Sequence, residues 1–235
     1  MAKKFLEESP YLKEVMKTHG FKKAKREFVR FSGDAIQRIM FGHASQGERG
    51  VRCYSCSYLI EYKSIIQAAN EMDVLIYGIG GLIDYLMPQH TGLIEWRLAD
   101  NDTDDHFLQV IDEINKLIKL YLLPFMDKYS TIEDFLQGVE NDNFNQISFD
   151  KKTPPIAYYL IGEKNKAISY INDTINRFVK ISEPTSIHKQ TITEEYVKHE
   201  FTFNKNADCI NYQKFVKKFN EWIDKNENNV NHGGF

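Results

Sequence analysis

Cysteine is scarce. The chain has three in 235 residues, at positions 53, 56 and 209. An odd, small number excludes a disulfide framework, and the simplest expectation is reduced thiols. Long apolar runs are also missing: no stretch approaches the roughly 18–20 consecutive apolar residues that a membrane-spanning helix needs. The first ten residues, MAKKFLEESP, carry two lysines but no apolar segment of the signal-peptide type, so the sequence predicts a cytoplasmic protein. The seven histidines include no H-x-x-x-H or H-E-x-x-H pair. No G-x-x-x-x-G-K-[ST] phosphate loop, no G-x-S-x-G nucleophile turn and no D-x-[DN]-x-[DN]-G calcium loop occurs. These gaps remove the common signatures of nucleotide, serine-hydrolase, zinc-protease and calcium chemistry, and no cofactor is expected.

Apolar side chains are plentiful, at 42% of the chain with 13% aromatic. That supports a core without metal or disulfide staples, in one large domain or a core domain with an appendage. The net charge of −3 hides a polarity: residues 1–63 are net +6 and the remainder net −9. Such a molecule can steer a charged partner.

The period of the apolar residues changes along the chain. Residues 4–19 read as a short helix, with Pro10 in its first turn and Gly20 as a stop. Residues 28–31, 35–41 and 51–62 alternate and are rich in β-formers, with turn signals at 32–34 and 42–50, predicting a three-stranded antiparallel meander. Residues 73–77 read as a buried strand broken by glycines at 78–81, and 93–98 as a further strand. The clearest helix covers 103–122: Phe107, Val110, Ile111, Ile114, Leu117, Ile118 and Tyr121 form one stripe. Asp102 or Thr103 can cap it, and Pro124 ends or kinks it. A second, shorter helix opens at Thr131. After a polar, linker-like stretch at 141–153, Pro154 and Pro155 open a helix–turn–helix pair, with Ala157 and Ala167 small enough for close packing. It reads as a single tetratricopeptide-style unit, and no second copy follows. A strand is expected at 196–203, a helix capped by Asp208 after it, and a frayed tail from residue 225. The fold class is therefore α+β: an antiparallel sheet packed against a long helix, with a helical C-terminal extension. The expected domains are 1–140, 154–226 and a tail at 227–235.

Five features suggest chemistry. Cys53 and Cys56 form a C-x-x-C, but in a strand residues three apart point to opposite faces, which separates the sulfurs; zinc would need a second ligand pair. Glycines at 78, 80 and 81 follow an apolar run, but G-x-G-x-x-G fails at Ile83, leaving a turn or bulge. His43 beside Ser45 in a polar loop is the one arrangement that suggests a hydrolase. Lys22, Lys23, Lys25, Arg26 and Arg30, followed by Phe28 and Phe31, form a basic arm that could track phosphates beside stacking rings; a solvated turn before an edge strand is the plainer reading. Asp100, Asp102, Asp104 and Asp105 cluster at the start of the long helix, where they suit the helix dipole or a partner's cations.

Several segments in order carry a family resemblance: Gly20-Phe21-Lys22-Lys23, Phe28, Ile36-Gln37-Arg38-Ile39, Ile79-Gly80-Gly81-Leu82, Trp96, Tyr121-Leu122-Leu123-Pro124-Phe125 and Thr131-Ile132-Glu133-Asp134-Phe135. The set resembles the bacterial domain-of-unknown-function family 4304 (DUF4304-like) over residues ~5–180, with departures at 42–45 and at Gly78. The resemblance implies a bacterial context and, through proximity to toxin–immunity loci, a binding role. The leading expectation is a non-enzymatic intracellular protein-binding module of the immunity type, with a protein partner such as a toxin. Nucleic-acid binding through the basic arm is the alternative, and an unrecognised hydrolase is the third reading.

Overall fold

A computed structural model describes residues 6–44, 50–88, 93–144, 147–182 and 194–232, with the backbone alone at 179–182, 194–206 and 229–232. Its residues gather into two compact units. One takes the described residues of Met1–Lys63 and Tyr77–Phe149, the other those of Ser64–Ile76 and Asp150–Phe235.

The first unit is built on a six-stranded antiparallel sheet: β1 (Lys22–Ala24), β2 (Glu27–Ser32), β3 (Ala35–Ala44), β4 (Val51–Tyr62), β5 (Ile79–Leu82) and β6 (Trp96–Ala99). Strands β1 to β5 are neighbours in chain order, and β6 pairs with the other end of β4. The alternation that predicts the meander also sets its faces. Ala35, Gln37, Ile39 and Phe41 of β3 are buried, as are Tyr54, Cys56, Tyr58, Ile60 and Tyr62 of β4. Cross-strand pairing of Ala35 with Tyr62 and Ile39 with Tyr58 places both sets on one face. On the opposite face Arg38 bridges Glu27 at 2.5 Å and Glu61 at 2.8 Å, a cross-strand ion cluster half open to water.

Helix α1 (Pro10–Thr18) starts at its proline and stops at Gly20, whose φ of +81° only glycine adopts cheaply. The predicted 103–122 helix is α3 (Asp104–Leu117), capped by Thr103, whose side chain accepts from the His106 amide at 3.2 Å. A π-helical turn at Ile118–Leu122 and then α4 (Leu123–Lys128) follow it. The cause is Pro124: it has no amide for the Leu120 carbonyl, and the Leu123 amide bonds five residues back, to Ile118. The proline thus shifts the helix by one residue without ending it. Helix α5 (Ile132–Glu140) is capped by Thr131, as its sequence predicts.

The sheet's buried face is tied to this helical segment by polar contacts. Gln37 is fully buried; its side-chain amide donates to the Met126 carbonyl at 2.7 Å, and its oxygen accepts from Arg30 Nε at 2.6 Å. The Tyr62 hydroxyl donates to the Tyr129 carbonyl at 2.9 Å. Around them Tyr58 meets Phe125, and Tyr62 meets Phe135, edge or tilted, at 5.3 and 5.7 Å.

Several expectations are overturned. Residues 73–77 form no strand: Leu75 is 80% exposed, Tyr77 is 64% exposed, and Lys152 Nζ donates to the Leu75 carbonyl. The glycines at 78–81 are no mere break, since β5 begins there. A β-carbon on Gly78 would lie 1.8 Å from the Ile60 carbonyl oxygen, so only glycine lets the chain pass so close to β4. The polar loop starts later than residue 42, because β3 runs to Ala44. The stretch 141–153 is not simply a linker: Phe144 is buried against Tyr129 and Phe135, and Ser148 bridges Gly80. The strand read at 93–98 is the shorter β6.

The second unit holds most of α2 (Lys63–Glu71), together with α6 (Thr153–Leu160), α7 (Lys164–Ser182) and α8 (Glu194–His232). Helices α6 and α7 form the predicted hairpin around Gly162, with Ala157 and Ala167 buried. The strand expected at 196–203 is helix. Helix α8 begins at Glu194, and Asp208 sits inside the helix instead of capping it. The tail read as frayed from residue 225 is helical to His232; positions 233–235 lie outside the described residues. Tyr212, Phe215, Phe219 and Trp222 of α8 are buried, with Tyr159 of α6 edge-on to Phe219 and Trp222. Trp222 Nε1 donates to Glu71 of α2 at 2.8 Å.

Replacing Gln37 with Leu leaves the Met126 carbonyl and the Arg30 Nε without their partner; urea unfolding should show a loss of about 2–3 kcal/mol. The hydrogen bonds from Trp222 and Gln67 hold the Glu71 carboxyl below its ordinary value. Its contribution is therefore present above about pH 4.5 and lost as pH falls through the lowered folded value. In a Trp96→Phe background, Trp222 emission should shift to the red over that acid range, and Glu71→Gln should remove the shift.

Candidate functional site

Helix α3 turns its apolar stripe inward, burying Val110, Ile111 and Ile114. The 3.6-residue period then fixes what faces out. Asp104, Asp105, Asp112 and Glu113 are exposed, with Gln109 beside them and Lys116 in the last turn. Asp105, Leu108, Gln109, Asp112, Glu113 and Lys116 line a shallow, open depression, with half-buried Leu108 among the polar side chains. Among the described residues, none of these four carboxylates has an ion-pair partner within 4 Å. Asp112 and Glu113 escaped the sequence reading, which stopped at the four aspartates. The signal was present, because 105, 109, 112 and 116 follow one another on a single helix face.

The four aspartates read as a cluster divide into two kinds. Asp102 closes the turn before α3, accepting from the Ala99 amide at 2.6 Å, with His106 3.7 Å away. Asp100 meets Arg52 at 3.4 Å, and its amide donates to the Gly50 carbonyl at 2.8 Å. Both hold the β6–α3 connection. Asp105 belongs to the outward face, and Asp104 is exposed in the first turn.

The basic arm is divided in the same way. Arg30 lies over the Phe21 ring, pairs with Asp127 at 2.5 Å and donates to Gln37. Lys23 pairs with Glu8 at 3.4 Å, lies over Phe28 and donates to the Lys25 carbonyl. Phe28 is 1% exposed, so it offers no stacking platform, and Phe31 has Lys63 over its ring. Only Lys22, Lys25 and Arg26 of the five cations are exposed. The structure therefore gives the arm a mainly internal use, with three charges left outside.

Cys53 and Cys56 are both buried, free thiols on opposite faces of β4. Burial, with Asp84 adding to it, pushes the Cys56 thiol up to about 12, far from a reactive thiolate. The same two causes raise the buried Tyr58 hydroxyl, which has no hydrogen-bond partner among the described residues. His43 is exposed at the end of β3 with its ring 5.6 Å from that of Tyr54; Ser45, its supposed companion, lies outside the described residues. Of the other histidines, His19 is bonded to Asn115 at 2.9 Å, and His90 and His188 lie outside the described residues. Among the described residues no group of three or more His, Cys, Asp and Glu could hold a metal ion, and no helix is long and apolar enough to cross a membrane.

Native protein treated with a thiol-specific chromogenic disulfide should release one equivalent quickly, from half-buried Cys209, and the other two only in denaturant. Compared with protein-family models, with curated proteins and with solved structures, the chain matches none.

Proposed function

We propose that this chain is a protein-binding module that presents the outward face of α3 to a basic protein surface. One observation carries the reading: Asp105, Asp112 and Glu113 stand exposed on one helix face around a depression that contains Leu108, with Asp104 exposed in the first turn, and none of the four has an ion-pair partner among the described residues. Carboxylates consumed by internal ion pairs have little left to offer a partner. These four keep their charge for one, and a central apolar contact ringed by charge is how a steered interface is arranged. The opposite fate of Lys23 and Arg30, neutralised at home, is why the acidic face is preferred here to phosphate binding by the basic arm.

Within this reading the module is of the immunity type. It acts in the cytoplasm of a bacterium, where its thiols stay reduced, and occludes a basic functional surface of a toxin. The resemblance to the family 4304 domains supports that setting. Rigid-surface recognition needs no cofactor and no chemistry from the module itself.

The test is capture with a tagged full-length chain in its native host, followed by titration of the purified partner. A stoichiometric protein is expected, with affinity that falls as salt rises. The triple variant Asp105→Lys, Asp112→Lys, Glu113→Lys should weaken binding by at least about tenfold, roughly 1.4 kcal/mol. Unchanged affinity in that variant, or no stoichiometric partner under any growth condition, refutes the proposal.

A further inference from the structure

We infer that the free edge of the sheet at β1 is a second binding surface, and that it takes an extended acidic peptide by strand addition. Strand β1 is the terminal strand of the sheet, paired to β2 on one side only among the described residues. Its flanks are open: Lys22 and Ala24 are exposed. The β1–β2 hairpin closes through the two residues Lys25 and Arg26, with Ala24 opposite Glu27 and Lys23 opposite Phe28. In a two-residue hairpin the residues flanking the turn form a hydrogen-bonded pair, and such pairs alternate along an antiparallel ladder. The alternation therefore turns the backbone N–H and C=O of Lys23 away from β2, towards the open edge. Those groups are the template for an added strand.

The charges around that edge select the strand. Lys22, Lys25 and Arg26 are exposed, and none has an ion pair among the described residues. Lys22 lies on the edge strand itself, and Lys25, with a φ of +55°, and Arg26 stand at its end. Lysines on an edge repel neutral or basic strands and so guard against aggregation. The same cations attract a strand whose carboxylates stand at alternate positions, because those side chains fall on one face beside Lys22. The opposite edge is less available, since Ser148 occupies Gly80 of β5 through two hydrogen bonds, of 2.9 and 3.1 Å. A nucleic acid would share the attraction to charge, but it has no use for an open backbone edge, and Phe28 cannot stack on its bases because it is buried. This surface is separate from the α3 face, and its test does not depend on the captured partner.

Full-length protein labelled with nitrogen-15 is titrated with the blocked peptide acetyl-(Glu-Val)3-amide and, separately, with a ten-residue oligothymidylate at the same ionic strength. The peptide should shift amides around β1 and slow hydrogen exchange at the Lys23 amide at least several-fold. The Lys22→Glu, Lys25→Glu, Arg26→Glu variant should weaken the peptide by tenfold or more while its spectrum stays folded. A peptide of the composition acetyl-(Lys-Val)3-amide should leave β1 unmoved. Shifts absent from β1 at millimolar peptide, an unprotected Lys23 amide in the bound state, or tighter binding of oligothymidylate than of the acidic peptide would each overturn the inference.

Discussion

Gln37 is the point on which the first unit turns. A neutral amide buried without partners would be a liability of a few kcal/mol. Here both ends are used, one on the Met126 carbonyl of α4 and one on Arg30 of the neighbouring strand. The arrangement fixes three things at once: the register of β2 against β3, the distance of α4 from the sheet, and the direction of the Arg30 side chain. Arg30 then reaches Asp127 on the same helix, so a strand, a second strand and a helix are joined through one fork of hydrogen bonds. The aromatic contacts of Tyr58 and Tyr62 fill the space around this polar hinge and have no directional demand of comparable strength.

That constraint also decides how the surface charge is distributed. The amino-terminal quarter of the chain is rich in cations, yet much of the excess is spent locally: Lys23 on Glu8, Arg30 on Asp127, Arg38 on Glu27 and Glu61. The acidic surplus downstream behaves differently, because the outward face of α3 has few cations within reach. A polarity visible as a net count thus becomes, in three dimensions, an uncompensated carboxylate face and a much smaller basic remnant at one sheet edge. Two surfaces of opposite sign thus lie on the same unit.

Much of the fold is legible because short-range rules govern it. The alternation of β2, β3 and β4, the caps Thr103 and Thr131, and the turn at Gly162 each depend on residues within a few positions of one another. What escapes depends on distance or on conflict. Helix α2 is marked only by Ile65, Ala68 and Ala69, a weak stripe of small residues. Strand β5 contains two glycines and few β-formers; its existence follows from how closely Gly78 and Gly80 approach β4, which no local pattern records. The start of α8 has strand-like residues overridden by helix. At the candidate site, Asp105 stands out in the sequence, whereas Asp112 and Glu113 join it only once the helical phase is applied. The loss of Arg30 from the basic arm is invisible in sequence, since its partner Asp127 is 97 residues away.

The π turn at Ile118–Leu122 is a phase adjuster. One residue more than an α-helix needs is accommodated between α3 and α4, which shifts the rotational phase of α4 relative to α3. Each residue of an α-helix advances by about 100°. Deleting a residue from this turn would swing α4 around by roughly that angle relative to α3. The Met126 carbonyl would then leave Gln37, and Phe125 would leave Tyr58. The acidic face of α3 would stay intact while the scaffold that orients it came apart. In evolutionary terms, the extra residue makes this joint intolerant of length change, although every side chain in it is an ordinary apolar or solvent-facing one.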